Sequence, residues 1–140
     1  MSRILVEMLK RHFDPSFEML VKVVDCCPKE IWPERLGGYP FWHQVYHTAY
    51  YVDYRFRDDY ECEFLQSMKF DSNITPELDS SSPVSLSKEE IKEYLRRIEV
   101  KTERFFERAD DGFYRRGWYR AGTLLILMLY WLKYVISNTM

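Results

Sequence analysis

Apolar residues recur at helical spacing in the first segment, where Ile4, Leu5, Met8, Leu9, Phe13, Phe17, Leu20, Val21 and Val24 are interleaved with Glu7, Lys10, Arg11, Glu18 and Lys22. Spacings of three and four gather the first set into one stripe, which predicts an amphipathic helix. Asp14 followed by Pro15 reads as an N-cap with proline at the first helical position, or as a kink in one longer helix, and a break or kink is expected there. Pro28, Pro33, Gly37, Gly38 and Pro40 then end the segment in an ordered loop, with Trp32 placed to pin that loop to the core.

The next stretch, FWHQVYHTAYYVDYRF, has no interior Gly or Pro and predicts a helix from near Pro40 to about Asp58. Phe41, Val45, Ala49, Val52 and Phe56 fall on one face, and His43, His47, Tyr50 and Tyr54 fall roughly opposite, because residues four apart stack. Both faces are worth burying. A helix with an aliphatic side and a His/Tyr side is what a bundle uses to line a polar cavity.

From about Asp59 to Leu86 the chain turns to Asp, Asn, Ser and Pro, a long connection that Phe64, Leu65, Met68 and Phe70 are placed to anchor. Ser87 and Glu90 then form a capping-box pair, and Leu86 with Ile91 has the spacing of a hydrophobic staple. Ile91, Tyr94, Leu95, Ile98, Thr102, Phe105 and Phe106 continue the apolar face of this third helix, with Glu93 and Arg97 paired on its surface. Asp110, Asp111 and Gly112 stop it. The last helix, Thr123 to about Asn138, is apolar nearly all round, which predicts a central position or a partner.

Composition adds limits. A chain of 140 residues fits one domain with a sizeable core. Its 20 basic and 22 acidic residues give a net charge of -2, so no long-range field attracts nucleic acid or an anionic membrane. Arg115, Arg116 and Arg120 are too few to change that. The apolar run Leu124 to Leu132 is far short of the ~20 residues that span a bilayer. Three cysteines, of which Cys26 and Cys27 are adjacent, do not form a disulfide framework, and the N-terminus lacks a secretory pattern. A cytoplasmic location is expected. The aromatic share of 17%, with 11 Tyr, supplies rings for a wet pocket or an interface.

His43 and His47 at i and i+4 have the spacing to bring two imidazoles to one metal ion, with Asp53 or Glu61 as the accompanying acid or base. The opposite reading packs both rings against tyrosines and backbone carbonyls. His12 reads as a surface residue. Cys26 and Cys27 lie near a helix C-terminus, where the dipole disfavours a thiolate, and read as structural.

The order of elements, and above all LGGYPFWHQVYHTAYYVDY (Leu36 to Tyr54), resembles the DinB-like (YfiT-like) family. The resemblance implies a single all-α domain over residues 1–140, a four-helix bundle with a long connection between its second and third helices, often as a homodimer. It further implies a divalent metal on three histidines serving hydrolase or thiol S-transferase chemistry, with His47 matching the first ligand. The other two ligand positions fall on Tyr134 and Asn138, and no histidine follows His47. The resemblance therefore implies a degenerate relative, with no cofactor or a weakly bound zinc or nickel. Its pocket would be His47, Tyr50, Tyr54, Tyr134 and Asn138, open to a small molecule, with neither nucleic acid nor membrane as a partner.

Overall fold

The apolar stripe of the first segment forms α1 (Ile4–Cys26) in a computed structural model that describes residues 2–57, 62–78 and 84–113, together with Tyr134. The expected break at Pro15 is not there: the helix runs through it. Pro15 lies on the exposed side, where water can solvate the Arg11 carbonyl that loses its donor, while Phe13 and Phe17 on either side are buried. The stripe is also narrower than the sequence predicts. Val6, Phe13, Phe17, Leu20 and Val24 carry the buried face, whereas Ile4 and Met8 are 76% and 51% exposed.

The loop after α1 contains a small hairpin that the Pro/Gly pattern alone did not announce, with β1 (Arg35–Leu36) antiparallel to β2 (Tyr39–Pro40). Gly37 and Gly38 form its two-residue turn with φ of 70° and 95°. Positive φ at both positions is what a type I′ turn demands, and glycine meets it without steric cost. Gln44 fastens the hairpin by donating to the carbonyls of Leu36 and Tyr39. Trp32 pins the loop as expected, donating from Nε1 to the Leu86 carbonyl at 2.8 Å and meeting Phe41 edge to face.

The second helix, α2, spans Phe41–Arg55, three residues short of the expected end. The third, α3 (Lys88–Arg108), begins with the capping box: Ser87 accepts from the Glu90 amide and the Glu90 carboxylate accepts from the Ser87 amide. Leu86 and Ile91, the staple pair, are both buried. All seven residues expected on the apolar face of α3 are buried. A one-turn helix, α4 (Asp111–Phe113), follows. The described structure is thus all-α apart from the hairpin. None of its helices is long and apolar enough to cross a membrane. The apolar final segment lies outside the described residues, except that Tyr134 is helical and exposed.

α1 and α3 run antiparallel, and each end of the pair is closed by a side chain of the other strand of chain. Arg3, at the start of α1, donates to the carbonyls of Phe106, Glu107 and Ala109 at the end of α3. Asp111, just past α3, accepts from the amides of Leu5 and Val6 and from the Ser2 hydroxyl. At the far end Lys88 donates to the carbonyls of Asp25 and Cys27, and Lys92 pairs with Asp25 at 2.9 Å. Cations thus meet exposed carbonyls and a carboxylate meets exposed amides, the arrangement that unsatisfied helix ends and their dipoles require. Between these latches Phe13, Phe56, Phe105 and Phe106 form an aromatic centre, with Phe13 and Phe56 4.7 Å apart.

Desolvation pushes the Asp111 carboxyl upward, but hydrogen bonds from Ser2 and the amides at the start of α1 outweigh it and hold the group below its ordinary 3.8. A carboxyl depressed by folding contributes stability that is complete above its unfolded value and is lost as pH falls through the folded one. Urea midpoints measured against pH should therefore drop as the pH falls below 3.8. Asp111→Asn should flatten that part of the curve, and an unchanged slope would exclude the role.

Candidate functional site

α2 is buried on two sides, and its second side is occupied by its own chain. Phe41, Val45, Ala49 and Val52 enter the common core with Phe56. On the other side residues 62–78 lie against the His/Tyr face. The His43 Nε2 is 2.8 Å from the Thr75 carbonyl and the His47 Nδ1 is 2.6 Å from that of Pro76. A carbonyl can only accept, so both ring nitrogens carry the proton and donate. One turn on, Tyr51 donates to Glu77 at 2.8 Å. Burial, reinforced by that carboxylate, pushes the Tyr51 phenol up to about 12.

His43 is fully buried and stacked on Trp42 at 4.9 Å. Its Nδ1 meets no hydrogen-bond partner. A bare lone pair is the less costly orphan there, which agrees with the Nε2–H tautomer set by Thr75. Further along, Tyr50 and Tyr54 close around Phe64 at 5.5 and 5.2 Å, and Tyr46 and Tyr94 hold Phe70 at 5.4 and 5.2 Å. Phe64, Met68 and Phe70 anchor the connection as expected. Leu65 does not: it is 82% exposed, because its neighbours Phe64 and Gln66 take the inward positions. Ile74, which the pattern did not single out, is buried instead.

Asp53 is the fixed point of this packing. It is fully buried and takes four donors: Oδ2 accepts from the Ser67 amide and the Tyr94 hydroxyl at 2.8 Å each, and Oδ1 from the Ser67 hydroxyl at 2.6 Å and Lys101 Nζ at 2.7 Å. Lys101 also donates to the Asp53 backbone carbonyl and lies 5.2 Å over Phe64. Burial, then the Asp53 charge and the hydrogen bond to it, raise the Tyr94 hydroxyl far above its ordinary range, so it is a permanent donor. Burial likewise raises Tyr46, whose hydroxyl accepts from Gln66. With both oxygens engaged twice, the acceptor capacity of Asp53 is spent on structure.

Of the residues singled out in the sequence, the structure brings His43, His47, Tyr50 and Tyr54 onto one surface, against residues 64 to 76. Tyr134 is 68% exposed, and Asn138 and Glu61 lie outside the described residues, as do Arg115, Arg116 and Arg120. His12 is exposed on α1. Cys27 is buried, and desolvation raises its thiol in spite of Lys88 nearby; Cys26 and Cys62 are exposed. No three of the described His, Cys, Asp and Glu residues come together in a group able to hold a metal ion. His43, sealed at Nε2 and enclosed at Nδ1, fits such a centre poorly. Ser67 and Lys101 are partners of Asp53 that the sequence pattern missed, and Tyr94, read only as part of an apolar face, is a third. Asp53, offered in the sequence as an acid or base beside a metal, has its oxygens occupied by these donors.

No protein-family model, curated protein or solved structure matches the chain.

Removing one partner from a buried charged pair leaves the other uncompensated, so Asp53→Ala should cost about 3 to 5 kcal/mol in chemical denaturation. Tyr94→Phe, which leaves Asp53 three donors, should cost about 1 to 2 kcal/mol. Equal costs would remove Asp53 from the centre of the network.

Proposed function

We propose that this chain is a DinB-like four-helix-bundle protein of the reducing cytoplasm that has no catalytic metal and binds a small molecule or a second copy of itself. One observation carries the reading: the two helical histidines of the family-like segment each give one ring N–H to a neighbouring carbonyl, of Thr75 and Pro76, and His43 is enclosed at its other nitrogen, so that the pair holds the connection to α2. Supporting it, the sequence has three histidines in all, the third is His12 on the exposed side of α1, and the two positions matching the remaining ligands are Tyr134 and Asn138. Three free cysteines, two of them exposed, suit a reducing compartment.

A metal-dependent hydrolase or thiol S-transferase is the second reading, and one observation favours it. With Nδ1–H donated to Pro76, His47 keeps its lone pair on Nε2, the tautomer in which metal-ligating histidines are usually held by a backbone carbonyl. The two readings separate in one experiment. Elemental analysis of purified protein should find no stoichiometric zinc or nickel, and His47→Ala should act through lost packing and hydrogen bonding, costing about 1 to 3 kcal/mol. About one tightly held metal ion per chain, lost in His47→Ala, would establish the metal-dependent reading.

Self-association draws support from Ile4, Met8 and Met19, which are exposed on one side of α1 away from its buried stripe. Light scattering at micromolar concentration should give the mass of two 17.1 kDa chains. A single-chain mass would remove the dimer and leave ligand binding.

A further inference from the structure

We propose that the outer face of α3 is a binding site for a small pyrophosphate- or triphosphate-bearing molecule. Glu93, Arg96, Arg97, Val100, Lys101, Arg104, Glu107 and Arg108 recur every three or four residues opposite the buried stripe, and with Ser67 they line a groove of about 750 Å³. That volume lies in the range of small-molecule sites. Five cations face two acids there, although the chain as a whole carries a net charge of -2. The patch is thus a local reversal of sign.

The charges are not all used internally. Glu93 holds Arg96 at 2.6 Å and Arg97 at 3.2 Å, and Arg97 also donates to the Ser67 carbonyl. Lys101 is committed to Asp53. Arg104 makes no ion pair among the described residues, and one turn further on Arg108 directs its Nε to the Arg104 carbonyl, which fixes the root of its side chain along the groove. Like charges three and four apart on a helix repel, so Arg104, lying between Lys101 and Arg108, gains from an anion placed on this face.

The spacing selects the ligand. Neighbouring positions on the face are ~5 to 6 Å apart at Cβ, so a two-pronged contact to each of Arg104 and Arg108, one turn apart, takes more than one anionic group. Two linked phosphates provide that. Guanidinium matches phosphate in planar, two-pronged contacts, which favours this chemistry over a lysine-type point attraction. The groove meets the packing around α2 only through Ser67 and Lys101, and Arg104 and Arg108 lie outside it, so the site is tested apart from the reading above.

Titrating the full chain with inorganic pyrophosphate at low ionic strength, by calorimetry and by amide chemical shifts, tests it. Saturable binding with one site per chain is expected, with shifts confined to α3 and Ser67. Arg104→Gln and Arg108→Gln should each weaken it about tenfold, the size of one charge-assisted hydrogen bond. Arg11→Gln on α1 should leave it unchanged, and circular dichroism checks that each variant keeps its helix. ADP in place of pyrophosphate distinguishes the sources: tighter binding with the same variant pattern indicates a nucleotide, equal or weaker binding a free polyphosphate. No saturation, or equal losses in Arg11→Gln, would overturn the proposal. So would a short oligonucleotide that binds where pyrophosphate does not, since the face would then be a nucleic-acid surface.

Discussion

A buried carboxylate with four donors is the constraint on which the described architecture depends. Taking Asp53 out of water is expensive on its own, and only a full set of hydrogen bonds plus an opposite charge makes it tolerable. Those donors come from two separate pieces of chain: Ser67 in the connection, and Tyr94 with Lys101 two turns on, both in α3. None of the three can move away without leaving the charge unsatisfied. The connection therefore has a fixed register against α2, and α2 a fixed register against α3. Hydrophobic contact alone, being non-directional, sets neither.

That register explains why a face rich in histidine and tyrosine faces its own backbone. With Ser67 held by Asp53, the chain that follows returns to His43 by Thr75 and then advances along α2, bringing the carbonyls of Thr75 and Pro76 to the ring nitrogens of His43 and His47 and Glu77 to Tyr51. The connection has no regular ladder to satisfy its own polar groups, and any it buries must find partners elsewhere. Imidazole N–H groups and tyrosine rings are suited to that task, one supplying directional donors and the other large apolar area with a polar tip. The described part of the connection, residues 62–78, is thereby held against α2. The residues that look like a pocket when read along the sequence act as a docking strip within the chain.

Much of this was legible from periodicity, and the failures have identifiable causes. The capping box, the staple, the seven-residue apolar face of α3 and both faces of α2 follow from local spacing, because helices report their environment every three to four residues. The face of α1 was read too broadly: Ile4 and Met8 satisfy the spacing rule about as well as Val6, and only the position of α3 decides which stripe is covered. Pro15 was read as a break because propensity weighs a missing N–H heavily, whereas here that defect faces water. The occupant of the His/Tyr face was not legible at all. Whether a long connection folds inward depends on Asp53 meeting Ser67, a pairing fourteen residues apart that no periodic signal encodes. Asp53 was read as an acid or base beside a metal, because the sequence shows the carboxylate but not the donors that occupy it. Lys101 was hidden among the many charges of α3.

Lys101 also joins two surfaces that otherwise have different jobs. Its ammonium reaches inward to Asp53 while its stem lines the outer groove beside Arg97 and Arg104. Two of its three N–H groups are taken by the Asp53 carboxylate and carbonyl, which leaves one for the outside. The same charge thus neutralises a buried acid and adds to the positive field of α3. Because α3 is clamped to α1 through Arg3, Lys88 and Asp111, its outer face cannot relieve crowding among its cations by bending away. Repulsion that Glu93 and Asp53 do not offset is met by solvent, salt or a bound anion, and the rigidity that Asp53 imposes from within keeps the arginines at the spacing an anion would find.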